Sequence, residues 1–225
     1  MSSILCIETS SRNCSVSISE KKKLLAFFEE IEEGYCHNEK LHVLIDRVIK
    51  KCKYDFGMIN AVAVGLGPGS YTGLRIGSAS SKGISFSLDI PVIGVGTHET
   101  LLRGFMRNQN KMLNFDIYFT VIDSRIGEVY ISKYDFLGNE KIKPMACVVK
   151  EFPFLRHIKN KRVCFVGNGL QKIKDFLGSQ KNVRYYEMLP SSQYMNEIAY
   201  DKFLKNDFID SAYFEPLYMK QFIPS

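Results

Sequence analysis

The chain has 225 residues, 45% of them apolar and 24% charged, a balance that excludes a disordered polymer and lets folding bury roughly 70% of the extended-chain surface. Its formal charge of +6 comes from 30 Lys and Arg against 24 Asp and Glu; it permits weak polyanion contact, but the lysines are spread and no RNA-binding signature interleaves aromatics with them. No apolar run reaches the ~20 residues that span a bilayer, Met1-Ser2-Ser3 leads into a strand without a basic leader, and the six cysteines lack a C-x-x-C pair, so a soluble cytoplasmic protein with reduced core thiols and no membrane contact is expected.

In chain order, Ile4–Ile7, Cys14–Ser19 and Leu24–Glu29 predict an antiparallel meander. Leu41, Leu44, Ile45, Val48, Ile49 and Cys52 recur at helical spacing. A strand over Ala61–Gly65, a helix over Gly73–Leu88, a strand over Pro91–Val95 and a helix over Thr97–Arg107 follow. After the polar break Asn108–Asn114 a similar pattern restarts. Strands are expected over Asp116–Asp123, Glu128–Asp135 and Met145–Val149, then a helix from Glu151, a strand over Arg162–Val166 and a helix over Leu170–Leu177. Cys6-Ile7-Glu8-Thr9 and Val121-Ile122-Asp123-Ser124 both end an apolar strand in a carboxylate and a hydroxyl. Two related α/β lobes are the natural inference, a first over 1–107 and a second over 108–225 whose C-terminal segment returns to the first. This is the layout of the actin, hexokinase and sugar-kinase superfold, with mixed sheets flanked by helices and a nucleotide held between lobes.

The run Val64 to Gly77 places five glycines and a proline where a strand hands over to a helix, which Ser70 or Thr72 can cap. Two readings stand. Glycines at a helix start let a phosphate approach the backbone, although no Walker lysine is present and Arg75 is the one cation within reach; or the run is a tight βα turn required by packing. Glu8-Thr9-Ser10 can likewise hold a metal-bound water or phosphate, or can be a hairpin turn bonded to its own backbone. Together with Asp123 and Gly167-Asn168-Gly169, these residues make a candidate vestigial nucleotide cleft. His37 and His42 are five residues apart, about 140° around a helix, so they do not form a two-ligand metal face and are expected exposed at a helix start. His98-Glu99 follows a strand and is expected to be structural or on the surface. No Ser-His-Asp or Cys-His set can be assembled from four histidines.

Ile7-Glu8-Thr9-Ser10, the Gly67 to Gly77 run and Ile93-Gly94-Val95 resemble the TsaB family, formerly YeaZ. The resemblance continues through Ile122-Asp123-Ser124-Arg125-Ile126-Gly127-Glu128-Val129-Tyr130, similar to the family's I-D-A-R-x-x-E-V-Y, and ends in Glu215-Pro216-Leu217-Tyr218-Met219-Lys220, similar to E-P-x-Y-L-R. Phe136 to Ser211 carries few specific motifs, and the lysine for arginine at 220 does not reproduce a bidentate contact. The resemblance implies a non-catalytic companion of the larger paralogue TsaD in bacterial synthesis of threonylcarbamoyladenosine beside the tRNA anticodon. TsaD binds metal through H-x-x-x-H, whereas Thr97 and Leu101 fill those places here. TsaE is implied as a further partner and TsaC as the source of threonylcarbamoyl-adenylate. No cofactor of its own is implied, with ATP or ADP and metal at partner subunits, and tRNA is reached through the complex. The alternatives are an autonomous ATP-dependent transferase using Glu8, Asp123 and the glycine turns, and a metallopeptidase, for which Thr97 and Leu101 offer no ligands.

The helix from Gly73 is unusually rich in small residues. The resemblance implies that the first-lobe helices of the two subunits meet in a bundle, so Leu41, Ile45, Gly73, Gly77, Ser78, Ser81 and Ser85 mark the expected TsaD contact. The same patch is expected to pair with itself as a homodimer when TsaD is absent.

Overall fold

The computed structural model describes residues 2–31, 37–108 and 115–219. The chain divides into two compact units: Met1–Thr100 with Pro190–Leu217, and Leu101–Leu189 with the residues from Tyr218 onward.

The first unit is built on β1 (Ser3–Glu8), β2 (Asn13–Glu20), β3 (Lys23–Ile31), α1 (His37–Cys52), β4 (Ala61–Gly67), α2 (Tyr71–Leu88) and β5 (Val92–Gly96), closed by α6 (Asn196–Leu204) from late in the chain. Its sheet order is β3-β2-β1-β4-β5. β1, β2 and β3 form the expected antiparallel meander, whereas β4 runs parallel to β1 and β5 parallel to β4. Every residue of β1 is buried, as a central strand covered on both faces requires. Alternation splits it: Leu5 and Ile7 pack with Leu41, Leu44, Ile45 and Val48 of α1, while Ile4 and Cys6 face Ile198 and Ala199 of α6.

The second unit repeats the plan with β6 (Ile117–Asp123), β7 (Glu128–Asp135), β8 (Glu140–Val148), α4 (Leu155–Ile158), β9 (Val163–Gly167), α5 (Leu170–Leu177) and β10 (Val183–Glu187), in the order β10-β9-β6-β7-β8. The antiparallel β6, β7 and β8 and the parallel β9 and β10 match β1 to β5 strand for strand. One face packs Phe119, Val121, Phe165, Phe152, Phe154, Leu170 and Ile173; the other packs Tyr118, Cys164 and Val166 with Leu102 and Phe105 of α3 (Thr97–Asn108). The first turn of α3 belongs to the first unit and the remainder to the second.

The helix expected from Glu151 is replaced by a single 3-10 turn, Val149–Glu151, and the one-turn α4. Pro153 pushes the preceding Phe152 out of the helical region, and its φ of −50° and ψ of 108° stop the turn there. β8 begins five residues before the expected Met145, and neither β10 nor α6 was expected. The five described cysteines carry free thiols, and burial pushes Cys6 and Cys14 up to about 12; Cys36 lies outside the described residues.

Candidate functional site

The turn leaving β1 is enclosed in the first unit. Glu8, Thr9, Ser10 and Ser11 are all at most 5% exposed. Since Ile7 pairs with Val64 across the parallel β1 and β4, Glu8 lies beside Gly65, and a Cβ there would stand 2.6 Å from Glu8 Oε2. Further along, a methyl group on Gly69 would collide with the carbonyl oxygen of Ser10, on Gly73 with that of Thr9, and on Gly77 with Thr9 Oγ1. The glycines at 65, 69, 73 and 77 thus clear space for the chain's own strand-end turn. Of the two readings of this run, packing accounts for these four positions.

Backbone contacts lock the arrangement. Ser70 N donates to Ser10 O at 2.7 Å, and Ser70 Oγ accepts from Gly73 N at 3.2 Å, making Ser70 the cap of α2. His37 is buried rather than exposed, because Nε2 donates to Ser11 O at 2.7 Å. Burial lowers its pKa, and the bond to Ser11 partly opposes this. Glu8 Oε1 accepts from Ser10 N at 2.7 Å, while Oε2, Thr9 Oγ1 and Ser10 Oγ have no hydrogen-bond partner among the described residues. Burial pushes the Glu8 carboxyl up, against the hydrogen bonds from Ser10 and Thr9, and so favours its neutral form.

The corresponding turn of the second unit is open. Asp123 ends β6 with its side chain 52% exposed, and Lys172 Nζ of α5 lies 2.7 Å from Oδ1. The same ammonium donates to the carbonyl oxygens of Ser124, Arg125 and Glu128 at 2.8–3.1 Å, stapling the β6–β7 turn. Asn168 Oδ1 accepts from Asp123 N at 3.0 Å. Gly167, at φ +140°, leaves no room for a side chain against Val121 O. Gly167-Asn168-Gly169 is therefore a β-to-α turn wrapped onto the end of β6. Lys172 carries no sequence signal beyond following this turn by three residues.

The first three residues of the C-terminal motif, Glu215-Pro216-Leu217, belong to the first unit, where Leu217 N donates to Leu66 O at 2.7 Å. Upstream, Lys82 of α2 donates to Ala212 O at 3.0 Å and sits 4.7 Å over the Phe214 ring. Lys220, with its departure from the family's arginine, lies outside the described residues.

Leu41, Ile45, Gly73, Gly77, Ser78, Ser81 and Ser85 are all buried inside the first unit. Leu41 and Ile45 are core residues, Gly73 and Gly77 face the β1 turn, and Ser81 Oγ donates to Ser78 O at 2.9 Å. Arginine at Ser78 or Ser81 would therefore test folding, not association. The surface of these helices is made by other residues: Val43 is 51% exposed, Phe86 is 89% exposed, and Ala79, Gly83 and Ser87 are open. A groove of about 600 Å³ runs here, lined by His42, Phe56, Ala79, Gly83, Ile84 and Leu88.

Thr97 and Leu101, one helical turn apart at the start of α3, are fully buried and offer no imidazole, so these positions do not fit the paired-histidine metal site of TsaD. His98 beside them is also buried.

Residues 34–211 match the family model described as "TsaD: tRNA N6-adenosine threonylcarbamoyltransferase". The chain is 25% identical to the tRNA threonylcarbamoyladenosine biosynthesis protein TsaB of Haemophilus influenzae, over 96% of this chain and 93% of that protein. It is 30% identical to the protein of the same name from Buchnera aphidicola subsp. Schizaphis graminum, over 76% of this chain and 80% of the relative. The solved structure of YeaZ from Pseudomonas aeruginosa superposes with a TM-score of 0.82 at 20% identity, covering 97% of this chain and all of that one, and so shares the fold. With the motifs at the end of β1, through β4 and α2, and at the end of β6, these matches assign the chain to the TsaB (YeaZ) family.

Proposed function

We propose that this chain acts in the synthesis of threonylcarbamoyladenosine in tRNA, as a non-catalytic subunit that binds and supports a TsaD-type threonylcarbamoyltransferase. The observation that carries this reading is the match to proteins named for that biosynthesis, over 96% of the chain for one relative and 76% for another. Two further features support a supporting role. Thr97 and Leu101 stand where a catalytic paralogue needs metal-binding histidines, and the glycine-rich run is filled by the β1 turn. In this reading ATP or ADP and metal belong to the partner subunits, and a TsaE-type ATPase joins the complex.

The transferase docks on the exposed side of α1 and α2, around Val43, Phe86 and the groove beside Gly83. An 89% exposed phenylalanine on a helix is the sort of apolar residue a partner covers. The same face pairs with a second copy of this chain when the transferase is absent.

The test is reconstitution from the cognate transferase, tRNA and threonylcarbamoyl-adenylate, with and without this chain. Modified adenosine is expected only when both proteins are present. Phe86→Asp should weaken the complex and the modification together, and turn the isolated chain into a monomer whose circular-dichroism spectrum is that of the folded wild type. Equal modification without this chain would overturn the reading.

A further inference from the structure

The charge of the chain is segregated. Leu101–Leu189 contains sixteen Lys and Arg against eight Asp and Glu, whereas Met1–Thr100 with Pro190–Leu217 contains thirteen against sixteen. The positive excess therefore belongs to the second unit, and part of it converges at one end of that unit's sheet. β9 and β10 run parallel with Val163 opposite Val183, so the segments entering them lie side by side. These segments, Leu155–Arg162 and Gly178–Val183, contain Arg156, Lys159, Lys161, Arg162 and Lys181 and no acidic residue.

Asn182 ties the two segments together. Its Nδ2 donates to Ile158 O at 2.8 Å and Lys161 O at 2.7 Å, and its carbonyl accepts from Val163 N at 2.9 Å. The cations around it are thus carried on a braced backbone. Arg162 is used locally: its N–H donates to Asp116 Oδ2 at 2.7 Å and its guanidinium lies 3.8 Å from Oδ1. Arg156, Lys159, Lys161 and Lys181 are exposed, and none is in an ion pair among the described residues. Arg184, one residue into β10, is also exposed and turns back to donate to Lys181 O at 3.0 Å. His157 shares the first segment, and the positive charge of Lys133 on β7 acts on it.

We propose that the braced segments before β9 and β10 form a docking surface for the phosphate backbone of RNA. The choice of RNA over another polyanion rests on the proposed function, in which the complex that holds this chain acts on tRNA. Exposed ammonium and guanidinium groups without a carboxylate of their own are suited to phosphate contacts that position a nucleic acid without reading its sequence. Binding through them displaces counterions and must weaken as salt rises.

The experiment is equilibrium binding of unmodified tRNA to the complex of this chain with its transferase, over roughly 50 to 300 mM salt. It compares wild type with a Lys159→Glu, Lys161→Glu, Lys181→Glu variant. Affinity is expected to fall about tenfold or more, and the slope of log affinity against log salt to shrink by about 2 to 3. In the modification assay the KM for tRNA should rise with kcat unchanged. Lys21→Glu with Lys23→Glu in the first unit should change neither slope nor KM. A triple Lys→Gln variant, with its thermal midpoint checked, covers misfolding of the charge reversal and should show a smaller shift of the same sign.

Wild-type affinity and slope in a folded variant would overturn the proposal, as would loss of binding to an acidic peptide with tRNA binding intact. If modification needs this chain but the slope does not change, the RNA surface fails and the proposed function stands. If modification proceeds without this chain while the slope changes as expected, the surface stands and the proposed function fails.

Discussion

The turns that end β1 and β6 occupy equivalent places in two sheets of the same order, and both present a carboxylate followed by a hydroxyl. At β1 the carboxylate is fully enclosed, its pKa raised by burial, and it accepts from the backbone N–H of Ser10. At β6 the carboxylate is half exposed and held by an ammonium that also gathers three carbonyl oxygens. The difference lies in what packs against the turn. Four glycines spaced by four residues let the β1 turn sink into the first unit, whereas the second unit has the shorter Gly167-Asn168-Gly169 and a lysine. Equivalent topology therefore does not transmit equivalent chemistry, because burial and charge are set locally.

The largest effect should come from Gly73→Ala. Alanine ordinarily gains about 1 kcal/mol over glycine inside a helix. Here the methyl group meets the carbonyl oxygen of Thr9, and overpacking against backbone should cost about 3 kcal/mol or more, leaving a clear net loss in denaturant unfolding. A Gly73→Ala protein as stable as wild type would break the claim that the β1 turn fills this run. Lys172→Met should cost about 1 kcal/mol, since the pair with Asp123 is solvent-screened and the bonds to three carbonyls supply most of the loss. Its effect should be local, seen as faster amide exchange in the β6–β7 turn.

Gly83→Ala, in the same helix as Gly73, should instead stabilise by up to about 1 kcal/mol, because nothing lies within 4 Å of the added methyl. The opposite signs at Gly73 and Gly83 separate close packing from intrinsic helix preference.

The pH response tests the buried carboxyl. A pKa raised on folding means that the native state holds its proton longer than the unfolded chain. The Glu8 contribution is therefore full below the ordinary value of 4.5 and declines as pH rises toward the raised native value. His37 works oppositely: its pKa is lowered on folding, so stability is lost as pH falls below its ordinary 6.5 toward the native value. Thermal midpoints across this range should show Glu8→Gln removing the decline with rising pH and raising stability at neutral pH. A midpoint that falls at neutral pH, with the slope unchanged, would show that Glu8 is charged in the folded chain.

The meanders, the parallel strands β4, β5 and β9 and the amphipathic α1 were legible because burial wrote them as short apolar runs, as alternation or as 3.6-residue periodicity. α6 was not, since Ile198 and Ala199 sit among Tyr200, Lys202 and Phe203 without a clean apolar stripe; β10, Val-Arg-Tyr-Tyr-Glu, buries only Val183 fully. At the site, the glycine run was visible as a handover from strand to helix, but its filling by Thr9 and Ser10 depends on β1 and β4 lying side by side. The small face of α2 was legible and its direction was not: spacing identifies a stripe of glycine and serine, while only the fold shows that it points inward.

Calorimetric titration of the isolated chain with magnesium-ATP, with turnover followed in the same sample, tests most directly whether this member of the fold supports a catalyst rather than being one. With the β1 turn packed into the glycine run, and with catalysis proposed for the partner, neither sub-micromolar binding nor hydrolysis is predicted. Sub-micromolar binding together with turnover by the isolated chain would contradict the account.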